Sequence, residues 1–343
     1  MTSYTLKTNL KDVAMVAGVS AATVSRVLNN RSEGFSVRPE VRERVESAAR
    51  KLSYRPHLLA QSLRMKTMGI VGLLGIHVPV ILPDDVIRGL VALFESKRIK
   101  LSTYISPTAE ASHELPPWRI DGAIVAGVLK KSDLNALEKA RLPYVSINGW
   151  AGPTGGSITY DEAHGVQQAL THLMQLGHRR IAYANARGPW LTHPSVQLRH
   201  DAYCEFLQQA GLTPVPGHDQ PWTEDNAHAT LRHWVEDHGV TAVLTYQHYH
   251  ALELIKAAHE SGYSPPGRLS VVCFNDEFIG RMAYPALTAV KLPTVEAGRS
   301  AAMMLLDCMG PPYTTPKPLV LKPTLVIYGS TAPPDPTRGR VRP

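Results

Sequence analysis

The sequence predicts an α/β protein in which a small helical N-terminal module precedes a larger, two-lobed body with parallel sheets. Three observations lead to this fold class. Apolar residues recur at helical spacing over the first 55 residues. From Met68 onward, short apolar runs alternate with amphipathic segments, a pattern typical of parallel sheets covered by helices on both faces. Roughly 270 residues of this pattern is more than one sheet usually carries, so we expect two α/β lobes.

The first two helices are predicted to form a helix-turn-helix. Asn9 can cap a helix over Leu10–Ala17, which Gly18 ends. Ser20 can cap a second helix over Ala21–Leu28. Two short helices joined by a glycine-containing turn are the helix-turn-helix arrangement.

A third helix and a linker complete the N-terminal part. Apolar side chains at helical spacing predict a helix from Pro39 to about Ser53. The stretch His57–Arg64 has helical propensity, but it is too short to be stable alone. We therefore interpret it as a linker that is helical only in a suitable context.

The body is predicted as strands that alternate with helices. The predicted strands cover residues 69–74, 99–105, 122–126, 144–147, 180–184, 241–245 and 269–274. The predicted helices cover residues 86–97, 132–140, 161–176, 195–210, 223–238 and 248–261. Ligands of such proteins bind between the lobes, at the carboxyl ends of the strands.

The net charge of +7 lies in the N-terminal part of the chain. Residues 1–66 hold 12 lysines and arginines against 5 acidic residues, whereas the remainder holds 24 of each. This asymmetry indicates a module for a polyanion attached to a neutral body, and charge alone leaves nucleic acid and anionic membrane open. No apolar run reaches the ~20 residues that cross a bilayer, and no signal core begins the chain, so we expect a cytoplasmic protein.

Neither cysteine nor histidine spacing indicates catalysis or metal binding. The absence of C-x-x-C favours buried structural thiols at Cys204, Cys273 and Cys308. The pairs His248-x-His250 and His113-Glu114 have spacings that are common by chance, so surface histidines are expected there. The sequence contains no Walker loop, nucleophile elbow or H-E-x-x-H. We therefore expect no enzyme activity, no cofactor and no metal.

The N-terminal residues resemble the DNA-binding headpiece of the lactose-repressor (LacI/GalR) family. The likeness is carried by Leu10–Ala14, Ala17–Ser20 and Ala22–Asn29, and it continues through Tyr54–Pro56. Weaker likenesses in the body extend it over practically the whole chain, at residues 120–124, 176–181, 270–276, 285–290 and 329–331. The resemblance implies a homodimeric regulator whose body is periplasmic-binding-protein-like and binds an effector.

Four polar side chains of the headpiece can donate hydrogen bonds to DNA phosphates. Such contacts position the second helix on the DNA but do not recognise the base sequence. They are Ser20, Thr23, Ser25 and Asn29. Arg26 can pair with a guanine through two hydrogen bonds. Leu10 is also expected at the DNA.

Ala21 and Ala22 hold the main specificity positions of the family. Their methyl groups can touch a thymine methyl or leave room for another contact. An equal alternative is that both are inert helix formers. Arg26 and the linker are therefore expected to contribute much of the sequence readout.

The resemblance makes His57–Leu63 a hinge helix that folds on the operator. His57 and Ala60 would lie at the minor groove, and Leu63 would be an apolar wedge between central base steps. Without the resemblance, packing against a lobe would be the default interpretation of Leu63.

Four body residues are implied as effector ligands. They are Arg199, Trp222, Gln247 and Asn275. An arginine can clamp hydroxyls or an anion, and a tryptophan can stack on a sugar ring. The family often has aspartate where this chain has Asn275, so we expect a less acidic pocket that could also accept a sugar acid or a sugar phosphate.

The sequence thus predicts a repressor of carbohydrate-metabolism genes that binds a pseudo-palindromic operator as a homodimer under the control of a sugar or sugar derivative. The alternative is a sugar-binding receptor or transport-type protein without DNA control. The predicted divisions are a headpiece (1–55), a hinge (56–67), an effector-binding and dimerisation body (68–330) and a disordered tail (331–343).

Overall fold

The structure, a computed structural model, describes residues 8–28, 37–54, 67–77, 84–106, 120–187, 191–223, 225–310 and 316–335. The chain divides into two compact units, residues 1–68 and residues 69–343. Within the described residues, no helix is both long and apolar enough to cross a membrane.

The N-terminal unit contains three helices, α1 (Leu10–Ala17), α2 (Ala21–Leu28) and α3 (Pro39–Lys51). Asn9 caps α1, because its side-chain oxygen accepts hydrogen bonds from the backbone of Lys11 (2.8 Å) and of Asp12. The Asp12 carboxylate accepts a hydrogen bond from the Asn9 backbone in return, at 2.7 Å. This reciprocal capping box stabilises a helix too short to persist alone.

A tight turn orients α2 against α1. Gly18 ends α1 with φ of 63°, in the left-handed region that glycine adopts without strain. Ser20 then caps α2 by accepting a hydrogen bond from the Thr23 backbone at 3.1 Å. The predicted helix-turn-helix is confirmed. Its core consists of small side chains, namely Val13, Ala14, Ala17, Val24, Val27, Val45, Ala48 and Ala49.

The body contains helices and strands in the following chain order: β1 (Ile70–His77), α4 (Asp84–Ser96), β2 (Lys100–Ser106), β3 (Gly122–Ala126), α5 (Lys131–Lys139), β4 (Tyr144–Ile147), β5 (Gly156–Tyr160), α6 (Glu162–Gln175), β6 (Ile181–Ala184), α7 (Pro194–Gln209), α8 (Ala227–Arg232), β7 (Ala242–Thr245), α9 (His248–Glu260), β8 (Ser270–Phe274), α10 (Phe278–Met282), β9 (Thr288–Lys291), α11 (Thr294–Met309), β10 (Leu319–Leu321) and β11 (Thr324–Val326). A short π-helical segment, His233–Asp237, follows α8 directly.

Two sheets define two lobes. The N-terminal lobe has strand order β10-β5-β4-β3-β1-β2, and all neighbours in it are parallel. The C-terminal lobe has strand order β11-β9-β8-β7-β6, in which only β11 is antiparallel to its neighbour. The predicted two-lobed α/β body is confirmed. The sequence interpretation missed β5, α10, α11 and the strands β9 to β11.

The chain passes between the lobes three times, because β5 leads into α6, β9 leads into α11, and β10 leads into β11. Each passage leaves the carboxyl end of a parallel strand. The carboxyl ends of both sheets therefore meet the crossing segments, which is where doubly wound folds bind ligands.

The first residues of the predicted disordered tail are packed on the C-terminal lobe. The backbone carbonyl of Ala332 accepts a hydrogen bond from Ser270 Oγ at 2.9 Å, and the Thr331 hydroxyl lies 3.0 Å from His172 Nε2. The prediction of disorder was wrong for residues 331–335, because Thr331 and Ala332 hydrogen-bond with polar side chains of the C-terminal lobe. Residues 336–343 lie outside the described part of the chain.

Two glycines let α4 and α11 pack backbone to backbone in the N-terminal lobe. A Cβ atom on Gly298 would overlap the carbonyl oxygen of Val86, and one on Gly89 would overlap that of Val295. Because these obstacles are main-chain atoms, a side chain can be accommodated only if the helices separate.

Gly298→Ala is expected to lower the free energy of unfolding by about 1–3 kcal/mol, as overpacking does. An ordinary exposed helix position would instead gain about 1 kcal/mol from this change. Urea unfolding followed by circular dichroism measures the difference, with Ser300→Ala on the same helix as the control. A Gly298→Ala variant as stable as the parent would contradict the close approach of the two helices.

Candidate functional site

The N-terminal unit presents an exposed face on α2. Ala22 and Arg26 are both exposed and lie four residues apart, so they occupy the same side of the helix. Ala22 contributes only a methyl group to this side of the helix, whereas Arg26 contributes a guanidinium. This surface can enter a groove whose edges accept hydrogen bonds.

Other predicted DNA contacts have structural roles as well. The Ser20 and Thr23 hydroxyls lie 2.9 Å apart within the cap of α2. Leu10 and Ala21 are half-buried against the headpiece core, and Ser25 is half-buried too. The remaining predictions, Asn29, His57, Ala60 and Leu63, lie outside the described residues.

In the C-terminal lobe, Arg199 on α7 is buried and paired with Glu162 at the start of α6. Arg199 Nε donates to one Glu162 oxygen at 2.7 Å and Nη2 donates to the other at 3.2 Å. Both side chains are about 2–3% exposed. Arg199 Nη1 also donates to the backbone carbonyl of Tyr246, just after β7, at 2.7 Å. A buried charge requires such pairing.

Aromatic rings enclose the Arg199 guanidinium. Its central carbon lies 3.9 Å from the centre of the Phe274 ring, at the end of β8, and 4.9 Å from that of Tyr246. Burial opposes the charge of Arg199, but Glu162 and Tyr246 raise its pKa above the ordinary value. Among the described residues, Arg199 uses three of its five N–H donors. One N–H on each terminal nitrogen has no partner among those residues.

Gln247 and Asn275 follow the two residues that surround Arg199. Gln247 is buried and directly follows Tyr246, while Asn275 directly follows Phe274. Asn275 has φ of 69°, and its Oδ1 is buried without a hydrogen-bond partner in the described structure. The structure therefore brings three of the predicted effector residues together at the ends of β7 and β8.

Trp222 lies in another part of the same lobe. It is 2% exposed and stacks on Trp234, with ring centres 5.7 Å apart. The two rings line a cavity of about 590 Å³, whose other lining residues are Ala184, Pro216, Gly217, Gln220, Pro221, Thr223, Asn226, Ala229, Thr230 and His233. Arg199, Gln247 and Asn275 do not line this cavity, so the four predicted residues divide between two places.

Sequence reasoning missed a chain of polar groups beside Arg199. His193 Nδ1 lies 2.7 Å from Ser195 Oγ, which lies 2.9 Å from the Tyr246 hydroxyl. Burial and the charge of Arg199 lower the pKa of His193 to about 4, although a hydrogen bond with the Asn148 backbone opposes them. Asn148 follows β4, so this contact joins the two lobes. His193 and Glu162 carried no local sequence signal, since both act on residues distant in the chain.

Two other predictions about titratable residues need correction. His248 and His250 are buried, at 6% and 2% exposure, and not on the surface, because α9 packs against the sheet. Burial lowers their pKa values to about 4 and about 3. Cys273 and Cys308 are buried as expected, whereas Cys204 is only half-buried.

Comparison with known proteins relates both units to one class of regulator. Residues 9–57 match the family described as bacterial regulatory proteins, lacI family, and residues 170–331 match a periplasmic binding protein-like domain. The HTH-type transcriptional regulator MalR of Streptomyces coelicolor is 30% identical over 98% of this chain and 100% of its own length. The chain belongs to the lacI family of bacterial regulatory proteins.

This lacI-family regulator is also similar to proteins of known structure. The lactose operon repressor of Escherichia coli is 28% identical over 87% of this chain and 84% of its own length. A crystal structure of the Lac repressor dimer bound to operator and the anti-inducer ONPF matches with a TM-score of 0.78 at 25% identity, covering 95% of this chain and all of that one. The regulator is a DNA-binding transcription factor. The partner of its positively charged N-terminal residues is therefore nucleic acid and not an anionic membrane.

Removing either Arg199 or Glu162 should destabilise the folded state of this lacI-family regulator. Glu162→Ala leaves the Arg199 charge buried without compensation, so the free energy of unfolding should fall by about 3–5 kcal/mol. Urea unfolding at fixed protein concentration measures this change. Asp85→Ala removes a carboxylate paired with Arg88 at 2.7 Å on the surface, and it should cost at most ~1 kcal/mol. Equal losses in the two variants would contradict the central role of the buried pair.

Proposed function

We propose that the protein is an effector-controlled repressor that binds a pseudo-palindromic operator as a homodimer. It acts in the cytoplasm by binding and not by catalysis. Residues 1–55 read the DNA, residues 56–67 form the hinge, and residues 68–330 hold the effector and the partner subunit.

Two observations support the DNA-reading role: α2 has an exposed face, and the net positive charge of the chain lies within residues 1–66. Arg26 lies one turn beyond Ala22 on a helix whose opposite side is fully packed. Residues 1–66 carry the whole net charge of +7, so the body adds no net attraction to the phosphates. Two headpieces in a dimer double the phosphate contacts, and affinity should therefore fall steeply with salt.

Dimer formation is supported by an exposed apolar patch on the C-terminal lobe. Four large apolar side chains near α10 are between 49% and 90% exposed, namely Phe278, Ile279, Met282 and Tyr284. A contiguous apolar patch of this kind marks an interaction surface. The Lac repressor that was solved with operator is a dimer.

The single observation that favours a neutral saccharide as the effector is the neutralised guanidinium of Arg199. The Glu162 carboxylate, 2.7 Å from Arg199 Nε, neutralises the guanidinium charge. Two N–H donors of Arg199 are still without a partner among the described residues. Two N–H donors suit the hydroxyls of a sugar, and the unpartnered Asn275 Oδ1 can accept a hydrogen bond from another hydroxyl. A carboxylate or phosphate would meet no net positive charge in this group, which weighs against the sugar acid or sugar phosphate considered from the sequence.

The three chain crossings provide the route from effector to operator. A ligand that contacts both lobes at the strand ends shifts the balance between open and closed lobes. That shift then changes the stability of the hinge, with a coupling free energy of typically ~1–3 kcal/mol.

Arg26→Ala should weaken operator binding by about 1–3 kcal/mol for each half-site, because one bidentate base contact is lost. A duplex selected from a random pool by the parent protein, followed by fluorescence anisotropy, measures the change. Lys139→Ala, an equal charge change at an exposed position of the body, should leave the affinity unchanged. Equal effects of the two substitutions, or none for Arg26→Ala, would refute the assigned readout.

Calorimetry with neutral mono- and disaccharides, gluconate and glucose 6-phosphate tests the effector. We expect binding of a neutral saccharide, reduced about tenfold by Asn275→Ala through the loss of one buried hydrogen bond. Thr230→Ala, in the Trp222 cavity, should bind as the parent does. Binding of only the charged ligands, or a loss confined to Thr230→Ala, would contradict the proposed site.

A further inference from the structure

Three metal-ligating side chains meet on one side of the C-terminal lobe. His200 and Cys204 lie four residues apart on α7 and therefore share a helix face. His218 comes from the segment after α7. The donor atoms of all three side chains lie within 4.8 Å of one another, and each residue is half-buried.

The distances between these donors suit a small metal ion. His200 Nε2 and His218 Nδ1 are 2.8 Å apart, and the Cys204 sulfur is 3.9 Å from each nitrogen. Zinc bonds of about 2.0–2.1 Å to nitrogen and 2.3 Å to sulfur separate tetrahedral donors by roughly 3.3–3.6 Å. Adjustments of a few tenths of an ångström would bring the three donors around one ion.

Other groups of the lobe lie close to His200. Its other ring nitrogen, Nδ1, lies 3.7 Å from an Asp201 carboxylate oxygen, which accepts a hydrogen bond from Gln197 at 2.6 Å. The carboxylate places a negative charge near the three donors, which favours a bound cation. The His200 and His218 rings also stack, with centres 5.0 Å apart, and Tyr183 packs against His200.

We propose that His200, Cys204 and His218 form a zinc-binding site, with water as the fourth ligand. Two imidazoles and one thiolate are a donor set typical of zinc, and three protein ligands with one open position are a common arrangement. On binding, Zn²⁺ replaces the thiol proton of Cys204, which passes to solvent, and two sulfur electrons form the new bond. The hydrogen bond between the two imidazoles is exchanged for two nitrogen–metal bonds.

Such an ion would fasten the segment that follows α7 to the helix itself. His218 adjoins Gly217, which lines the Trp222 cavity, and His200 adjoins Arg199. The metal would therefore restrain the helix that carries the buried arginine, without contributing a ligand to the effector. The site depends only on the body and not on the proposed function.

Cobalt titration of the full-length protein, freed of any affinity tag and stripped with EDTA, tests the site. We expect one Co²⁺ per chain with a thiolate-to-cobalt charge-transfer band, which Zn²⁺ removes by displacement. Cys204→Ser should abolish the band. His218→Ala should lower the affinity by at least the ~10–100-fold that loss of an outer partner costs, because a ligand itself is removed.

Two control variants separate this site from incidental binding. Cys308→Ala removes another thiol, and His233→Ala removes an exposed histidine that lies 3.1 Å from His238. Both should retain the band and the affinity, with far-UV circular dichroism verifying the fold of every variant. The proposal is overturned if stoichiometric Co²⁺ gives no band, if the band survives Cys204→Ser, or if binding is lost only with His233→Ala.

Discussion

The pairing of Arg199 with Glu162 is the interaction on which the carboxyl ends of β7 and β8 depend. A guanidinium that is 2% exposed is tolerated only because a carboxylate and a carbonyl satisfy it. Glu162 is the first residue of α6, directly after the chain enters the C-terminal lobe, and Arg199 lies in the first half of α7. The pair thus joins a crossing segment to the ends of β7 and β8. The same geometry leaves two donors and no net charge for a ligand.

The headpiece and the body differ in core size and in charge. The headpiece has a core of alanine and valine, so its three helices bury little surface, and their caps contribute much of the local stability. Its excess of positive charge provides affinity for phosphates, while the neutral body avoids competing non-specific attraction. The body instead consists of two lobes, each built on its own sheet, between which the chain passes three times. A regulator needs both parts, because specificity for DNA and response to a small molecule require different surfaces.

Helix α7 connects several features that are separate in the sequence. Ser195 and Arg199 lie beside the strand ends, while His200 and Cys204 belong to the proposed metal site. Residues of one rigid helix move together. Any contact that fixes the position of α7 therefore also fixes the position of Arg199. The Trp222 cavity adjoins the same segment through Gly217. Trp222 lies in that cavity and Arg199 does not, so the predicted effector residues divide between two places of the lobe.

The sequence by itself determined features that depend on neighbouring residues. The Asn9 cap, the Gly18 turn and the strand-helix alternation of the body all arise from interactions within a few residues, and the motif of the headpiece is of this kind. Tertiary structure alone decided which distant groups met. Glu162 reaches Arg199 across 37 residues, and His218 reaches His200 across 18. It also decided that His250 is buried and that residues 331–335 are packed. Such pairings follow from how the sheets and helices are layered, and no periodicity within one segment specifies them.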